Sequence, residues 1–380
     1  MKLSKSLRQD YFRDQLLAWR IGGAIELAEG KFWSWAMALN ICAYLQIPMF
    51  MKAMFSFDDP MENNFNLFLT ITSVANLVKL TMYVSQLTKV VDIQRTIAKL
   101  DARVSGDDQV LRHRKMCNHL QRMSKIFLAT FVIIFINASV SFAFESERSL
   151  SMPMWIPFDW KNSMTAYIGA LVFQTFGIFI QILQNFAGDS FAALALFLVC
   201  EQCQLLTLRI SSIGYGSNTL KENEQDLVDC IEDQNTLYRL LDLVHSLTSY
   251  PVIVQFLVIG IDIAVTSFAL IFYVQTLSER IFYMSLLVGL TLQIYPLCYY
   301  GTRVEESFAE LHYAVFCSNW VDQSATYRGF MLIIEERTKR RQVLLAGNLV
   351  PIHLSTFVAC WKGAYSFFTL MAHRSGHTSN

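Results

Sequence analysis

The chain has 380 residues, of which 53% are hydrophobic, 13% aromatic and only 16% charged, with a mean hydropathy of +0.34. A soluble globular domain carries about 25% charged residues, so this composition belongs to a membrane protein. Basic and acidic side chains balance at 31 each and the pI is near 7.0, which leaves no basic surface for a nucleic-acid partner.

Residues 1–31 set Leu7, Tyr11, Phe12, Leu16, Leu17 and Trp19 among Arg and Lys. That pattern fits an amphipathic helix lying in the inner headgroup layer, or equally one packed on the protein's own surface. With mixed charge and no short apolar core before a small-residue site, the segment is not read as a cleaved leader. About 20 apolar residues cross ~30 Å of hydrocarbon. Seven stretches qualify: Phe32–Phe55, Phe65–Leu87, Ile126–Phe144, Met164–Cys200, Ser249–Leu277, Ile281–Thr302 and Val343–Met371. The fourth is uncharged from Asn162 to Gly188 and then continues helically past Asp189 and Glu201, so it is expected to project beyond the bilayer.

The connections differ in character. Loop 56–64 is short and acidic. Loop 145–163 carries Pro153, Trp155, Pro157 and Trp160, which makes it a stiff amphipathic cap or an interfacial anchor. Loop 203–248 places Leu227, Val228, Ile231, Leu237, Leu240 and Leu241 at helical spacing among acidic residues, so it reads as a helix outside the membrane.

Lysine and arginine fix the expected orientation. Segments 1–31, 89–125, 203–248 and 303–342 hold 24 of them, whereas the alternate loops and the tail hold four. Basic residues collect on the cytoplasmic side, so the N-terminus is expected inside and the C-terminus outside. A G-protein-coupled receptor has the opposite orientation. The chain also lacks an Asp/Glu-Arg-Tyr closing the third span and an Asn-Pro-x-x-Tyr in the seventh.

Chemistry-bearing motifs are few. Cys200 and Cys203 form a C-x-x-C without a second pair, which favours packing over metal or redox work. Asn137-Ala-Ser139 matches the glycosylation pattern but lies within a span. Lys52, Lys79, Asp189, Glu201, Asp262 and Lys362 are the ionisable groups inside or at the ends of spans, scattered in a way that favours structural ion pairs over a catalytic relay. No enzyme activity and no cofactor is expected. A secondary transporter would show inverted repeats, and only one helix break is visible, at Gly347–Pro351.

That break lies in the last stretch, where a half-helix carrying Arg337, Lys339, Arg340 and Arg341 gives way to a polar-flecked apolar span. The run GNLVPIHLSTF (347–357) followed by KGAYSFFTLM (362–371) resembles the C-terminal signature of insect odorant receptors. Pro157-Phe158-Asp159, Tyr167, Gln174 and Asp189 resemble that family's pattern around the fourth span. The sister gustatory receptors and the odorant co-receptor end differently, and the co-receptor carries a longer cytoplasmic insertion. The resemblance therefore points to the ligand-tuned odorant branch.

The resemblance implies an all-α membrane protein of seven transmembrane helices forming one domain. Residues 1–31 would be cytoplasmic, 32–302 would hold helices one to six, and 303–346 a cytoplasmic anchor. Residues 347–372 would form the pore-lining last helix and 373–380 an extracellular tail. It implies a cation channel subunit, assembled as a heteromeric tetramer with odorant co-receptor subunits and opened by small volatile odorants. Ser355, Ala359, Lys362, Ser366 and Thr369 form a polar face on that last helix, and Val358, Trp361, Tyr365 and Phe368 an apolar one. Aligning Tyr365 with the family places the narrowest point at Phe368 and Met371, while the polar face nominates Ser366 and Thr369; the two assignments differ. Lys362 would repel cations in a pore, so it is expected to point at a neighbouring helix or carboxylate. Depth alone nominates the ligand contacts: Thr72, Asn76, Asn137, Ser141, Tyr167, Phe173, Phe176, Phe272 and Tyr283.

Overall fold

The computed structural model describes residues 10–31, 34–55, 60–140, 149–272, 274 and 277–377. Two helices, α1 (Arg13–Ile21) and α2 (Ala24–Ala28), follow a single 3-10 turn at Asp10–Phe12. The first expected span is divided into α3 (Trp35–Tyr44) and α4 (Gln46–Met54). Long helices come next: α5 (Pro60–Gln86), α6 (Thr88–Asp101), α7 (Asp107–Val140), α8 (Met164–Ser212), α9 (Leu220–Phe272) and α10 (Leu277–Ala314). The chain closes with α11 (Ala325–Thr338), a small hairpin and α12 (Leu354–His377).

Five of these helices (α5, α7, α8, α9 and α10) are long and apolar enough to cross a membrane by length and composition. The remaining two expected spans correspond to the broken pair α3–α4 and to α12. Local chemistry sets where helices start. Ser163 accepts from the Ala166 amide at the start of α8, and Ser324 from the Tyr327 amide at the start of α11. Thr219 and Glu222 form a reciprocal cap at the start of α9, with the Glu222 carboxylate 2.7 Å from the Thr219 amide.

The core runs along α8, which packs against α10, α7, α9, α1, α3 and α5. From Ala187 to Val199 its residues are all buried. The N-terminal segment rests on this helix: Phe12 and Trp19 stack on Phe191 at 4.6 and 5.4 Å, and Trp19 is 1% exposed. Leu17 and Ile21 face outward. Of the two readings of this segment, packing on the protein accounts for its aromatic side.

An ionic cluster ties the turn after α6 to α8 and α9. Arg209 and Arg103 both engage Asp233, whose side chain is 1% exposed, and Arg103 also reaches Asp229 at 2.8 Å. Cys200 and Cys203 are buried and donate to the Tyr300 and Ser307 carbonyls of α10, so the C-x-x-C seals a helix contact.

The break at Gly347–Pro351 is a hairpin of two short strands, β1 (Leu345–Ala346) and β2 (Val350–Pro351), paired antiparallel. Gly347 and Asn348 both take φ of 57°, the left-handed conformation that Gly and Asn tolerate best. Ser249 of α9 donates to the Leu345 carbonyl at 2.7 Å and accepts the Gly347 amide on its own carbonyl at 2.9 Å. His245 lies 2.9 Å from that same Leu345 oxygen. The hairpin is thus sutured to α9, and α12 leaves it to pack on α9 and α10.

Candidate functional site

Segment 149–163 folds down as a cap. Met152, Met154 and Ile156 are buried, and Lys52 lies 3.3 Å from the centroid of the Trp155 ring. Gln174 of α8 holds the cap by its backbone, donating to the Met152 carbonyl at 2.8 Å and accepting the Met152 amide at 3.2 Å. Tyr167 donates to the Ser149 carbonyl at 2.9 Å and stacks on Trp160. Asp189, further along α8, is paired with Lys79 at 2.8 Å.

Beneath this cap, among α4, α5, α7, α8, α9 and α10, lies a cavity of about 120 Å³. Phe50, Phe65, Phe68, Phe131, Met152 and Leu286 supply apolar walls. Its polar rim is mostly engaged. Lys79 donates to Asp189 and Gln255, Gln255 to Gln293 at 3.0 Å, and Gln181 to the Ala43 carbonyl at 2.9 Å. Thr72 donates to Asp262 at 3.1 Å. An apolar chamber with a few convergent polar groups is the ordinary form of a small-molecule site.

Of the residues nominated by depth, Thr72 lines this cavity. Tyr283 is 6% exposed and packs edge-on to Phe65 and Phe282, two lining residues. Asn76 is buried and donates to the carbonyl of Gln181, and Phe173 packs in the same hydrophobic cluster as Phe50 and Met152. Asn137 bridges to Ser285 at 3.2 Å and Tyr167 serves the cap. Phe176 and Phe272 face outward, 43% and 47% exposed. Ser141 lies outside the described residues, as does the side chain of Met371. The walls contributed by Phe50, Phe65, Phe68 and Phe131 escaped the sequence reading. The available signal was the polar set Lys79, Gln181, Gln255 and Asp262, since polar residues within spans turn toward the bundle interior.

On α12, Ala364 is buried while Phe357, Cys360, Trp361 and Phe368 are half-buried against the bundle. Phe368 lies 6.1 Å from the Phe272 ring. Ser355, Ala359, Lys362, Tyr365, Ser366 and Thr369 are exposed. Lys362 has no ion-pair partner among the described residues, so the carboxylate expected beside it is not found among them. Among the other intramembrane ionisable groups, Glu201 pairs with Arg112 at 3.3 Å.

Comparison with known proteins bears on this arrangement. The 7tm Odorant receptor family matches residues 59–365. Odorant receptor 23a of Drosophila melanogaster is 68% identical over 376 residues, covering 99% of each chain, and Odorant receptor 59a of the same fly is 29% identical over 95% of this chain and 96% of its own. Among solved structures, the insect olfactory receptor OR5 from Machilis hrabei superposes with a TM-score of 0.76 at 14% identity, covering 96% of this chain and 99% of that one. Its complex with eugenol superposes at 0.81 with 13% identity, covering 96% and 100%. The capped all-helical bundle is thus an insect olfactory receptor fold, and the chain belongs to the 7tm odorant receptor family, as a membrane receptor and not an enzyme.

Proposed function

We propose that the cavity beneath the 149–163 cap binds a small volatile odorant, and that the chain is the ligand-tuned subunit of a cation channel formed with odorant co-receptor subunits in a heteromeric tetramer. The observation that carries this reading is the cavity itself, a largely apolar chamber within the spans of an odorant receptor. The OR5 neighbour was solved with eugenol, a small molecule of the class proposed here. Apolar burial is worth about 25 cal/mol per Å², so a ligand small enough for this chamber binds at micromolar levels or weaker. Binding selects a conformation in which α9 and α10 release α12, which they both contact. Ser366 and Thr369, on the exposed polar side of α12, face the conduit in this reading, whereas Phe368 is half-buried beside Phe272 and is set aside as its narrowest point. The plasma membrane of olfactory sensory dendrites is the proposed location. Ala75→Leu and Ala138→Leu each place a larger side chain on the cavity wall. Under voltage clamp with the co-receptor, each is expected to raise the half-activating odorant concentration at least about tenfold at unchanged surface expression. Unaltered responses in both variants would remove the pocket from this cavity.

The proposed orientation has the N-terminus and segment 303–346 in the cytosol. Cys317 is exposed in that segment, whereas Cys230 is buried and its thiol is pushed up to about 12 by that burial. A membrane-impermeant maleimide is expected to label Cys317 only after permeabilisation, with Cys317→Ser losing that added signal. Labelling of Cys317 on intact cells inverts the topology.

A further inference from the structure

A wider opening, a cleft of about 610 Å³, lies between α7, α8 and α10 at the end of the bundle away from the cap. Helix α8 links the two: Tyr167 near its start holds the cap, whereas Cys200 and Gln204 near its far end line the cleft. Arg112 and Lys115 of α7 and Arg303 of α10 bring three cations to its wall. Arg112 sets Nη2 against Glu201 at 3.3 Å, while its buried Nε has no hydrogen-bond partner among the described residues. Arg303 reaches Glu306 at 2.6 Å in an exposed pair on its own helix, which binds it only weakly. Lys115 is exposed and has no ion-pair partner among the described residues. Of the two carboxylates on the wall, Glu201 is engaged by Arg112, and Asp108 sits in the first turn of α7, where free helix amides favour an anion. Further along α7, Arg122 and Lys125 are exposed and likewise without ion-pair partners among the described residues, so the cleft and its rim carry surplus positive charge.

The wall toward the membrane is aromatic. His119 lies 3.1 Å from the Tyr300 hydroxyl and 5.1 Å from the Phe197 ring centroid, and Tyr299 stacks on Tyr295. Tyr299 and Tyr300 fall just before Thr302, where the sixth apolar stretch ends, the depth at which amphipathic aromatics collect. Beyond them the packed pair α7 and α10 exposes Ile126, Ile133 and Val288, so lipid-facing surface begins where the cleft ends.

We propose that this cleft binds the phosphorylated headgroup of an anionic inner-leaflet phospholipid. Arg112, Lys115 and Arg303 take the phosphate oxygens, and the acyl chains lie against the α7–α10 seam. The proposal rests on the orientation given above, which places this end of the bundle in the cytosol, and not on the odorant cavity. The cytoplasmic leaflet is the one that carries anionic lipid, and basic pockets between spans on that side suit its headgroups.

The test uses the receptor purified as its complex with the co-receptor. Binding of a fluorescent dioctanoyl phosphatidylinositol bisphosphate is followed by polarisation, with unlabelled competitors. The unlabelled lipid is expected to displace the probe at a concentration at least about tenfold below free inositol trisphosphate, which offers phosphates without chains. Lys115→Gln and Arg303→Gln change this chain alone, so the binding that they weaken is its own. Each is expected to cost about fivefold in affinity, and the pair together at least about twentyfold. Lys221→Gln, the same charge change at an exposed site at the start of α9, is expected to shift affinity less than about twofold. Binding unmoved by Lys115→Gln and Arg303→Gln overturns the site, and an equal loss in Lys221→Gln reduces it to diffuse charge attraction. Displacement by the trisphosphate as effective as by the lipid overturns the lipid assignment. Solubilised protein has no sidedness, so the two levels separate: binding that follows the expected pattern while Cys317 labels on intact cells sinks the orientation alone.

Discussion

Lys79→Met is expected to remove most of the folded receptor from the membrane, and combining it with Asp189→Leu to restore much of it. The two side chains are 7% and 5% exposed and lie 2.8 Å apart in the apolar core. Gln255 is the remaining acceptor of Lys79, and Asp189 Oδ2 has no partner among the described residues. Deleting the ammonium strands a carboxylate where no solvent reaches it. Breaking a buried pair from one side costs about 3–5 kcal/mol, against a total stability of about 5–15 kcal/mol. Replacing both partners with apolar groups of similar size is often neutral or better, because neither charge then has to be desolvated. The measurement is a double-mutant cycle on surface abundance and on the melting temperature of the detergent-solubilised receptor. Two single variants that each lose several degrees, with a double variant that recovers, identify the pair as structural. A double variant that merely adds the two losses shows that each residue acts through other contacts.

How much of this was legible in the chain depends on which physical signal each part leaves. The seven apolar stretches and the continuation of α8 past Asp189 were readable because length and charge alone decide them, and α8 does run on to Ser212. The stiffness of the cap was visible in its prolines and tryptophans, though its grip on Gln174 was not. The cavity walls were poorly legible for a reason particular to membranes. Lipid is as apolar as a protein core, so Phe176, exposed on α8, and Phe68, buried on α5, look alike in sequence. A helix apolar all round gives no moment by which to choose its inner face. Only the polar residues break that symmetry. Thr72 and Asp262 meet across α5 and α9 as intramembrane polar groups should, yet 190 positions separate them along the chain. The N-terminal helix shows the complementary difficulty. An apolar stripe of Phe12, Leu16 and Trp19 is the same pattern whether it meets headgroups or Phe191, and the partner that decides lies far along the sequence.

Gly301→Ala is expected to cut the maximal odorant current at least about tenfold, with Gly169→Ala as a silent control. A methyl at Gly301 would sit 2.0 Å from the carbonyl oxygen of Ile352, where ordinary contact begins near 3.4 Å. Neither side can yield cheaply. Ile352 is 3% exposed and its amide is bonded to the Leu344 carbonyl at 2.9 Å, closing a hairpin that Ser249 and His245 fasten to α9. On the next residue of α10, the Thr302 hydroxyl accepts the amide of Leu354, the first residue of α12. The added carbon therefore pushes against the point where α12 is hung, and relief requires that helix to move by roughly an ångström. Overpacking of this kind costs about 1–3 kcal/mol or more, enough to bias a helix whose displacement opens the proposed conduit. Gly169 has nothing within 4 Å of the same added carbon, so its substitution tests helix propensity without the clash. Currents are compared at matched surface abundance, which separates a displaced α12 from a receptor that never arrives. A Gly301→Ala receptor with wild-type current and wild-type odorant potency would mean that the seam between α10 and the hairpin is slack, and that α12 is not positioned there.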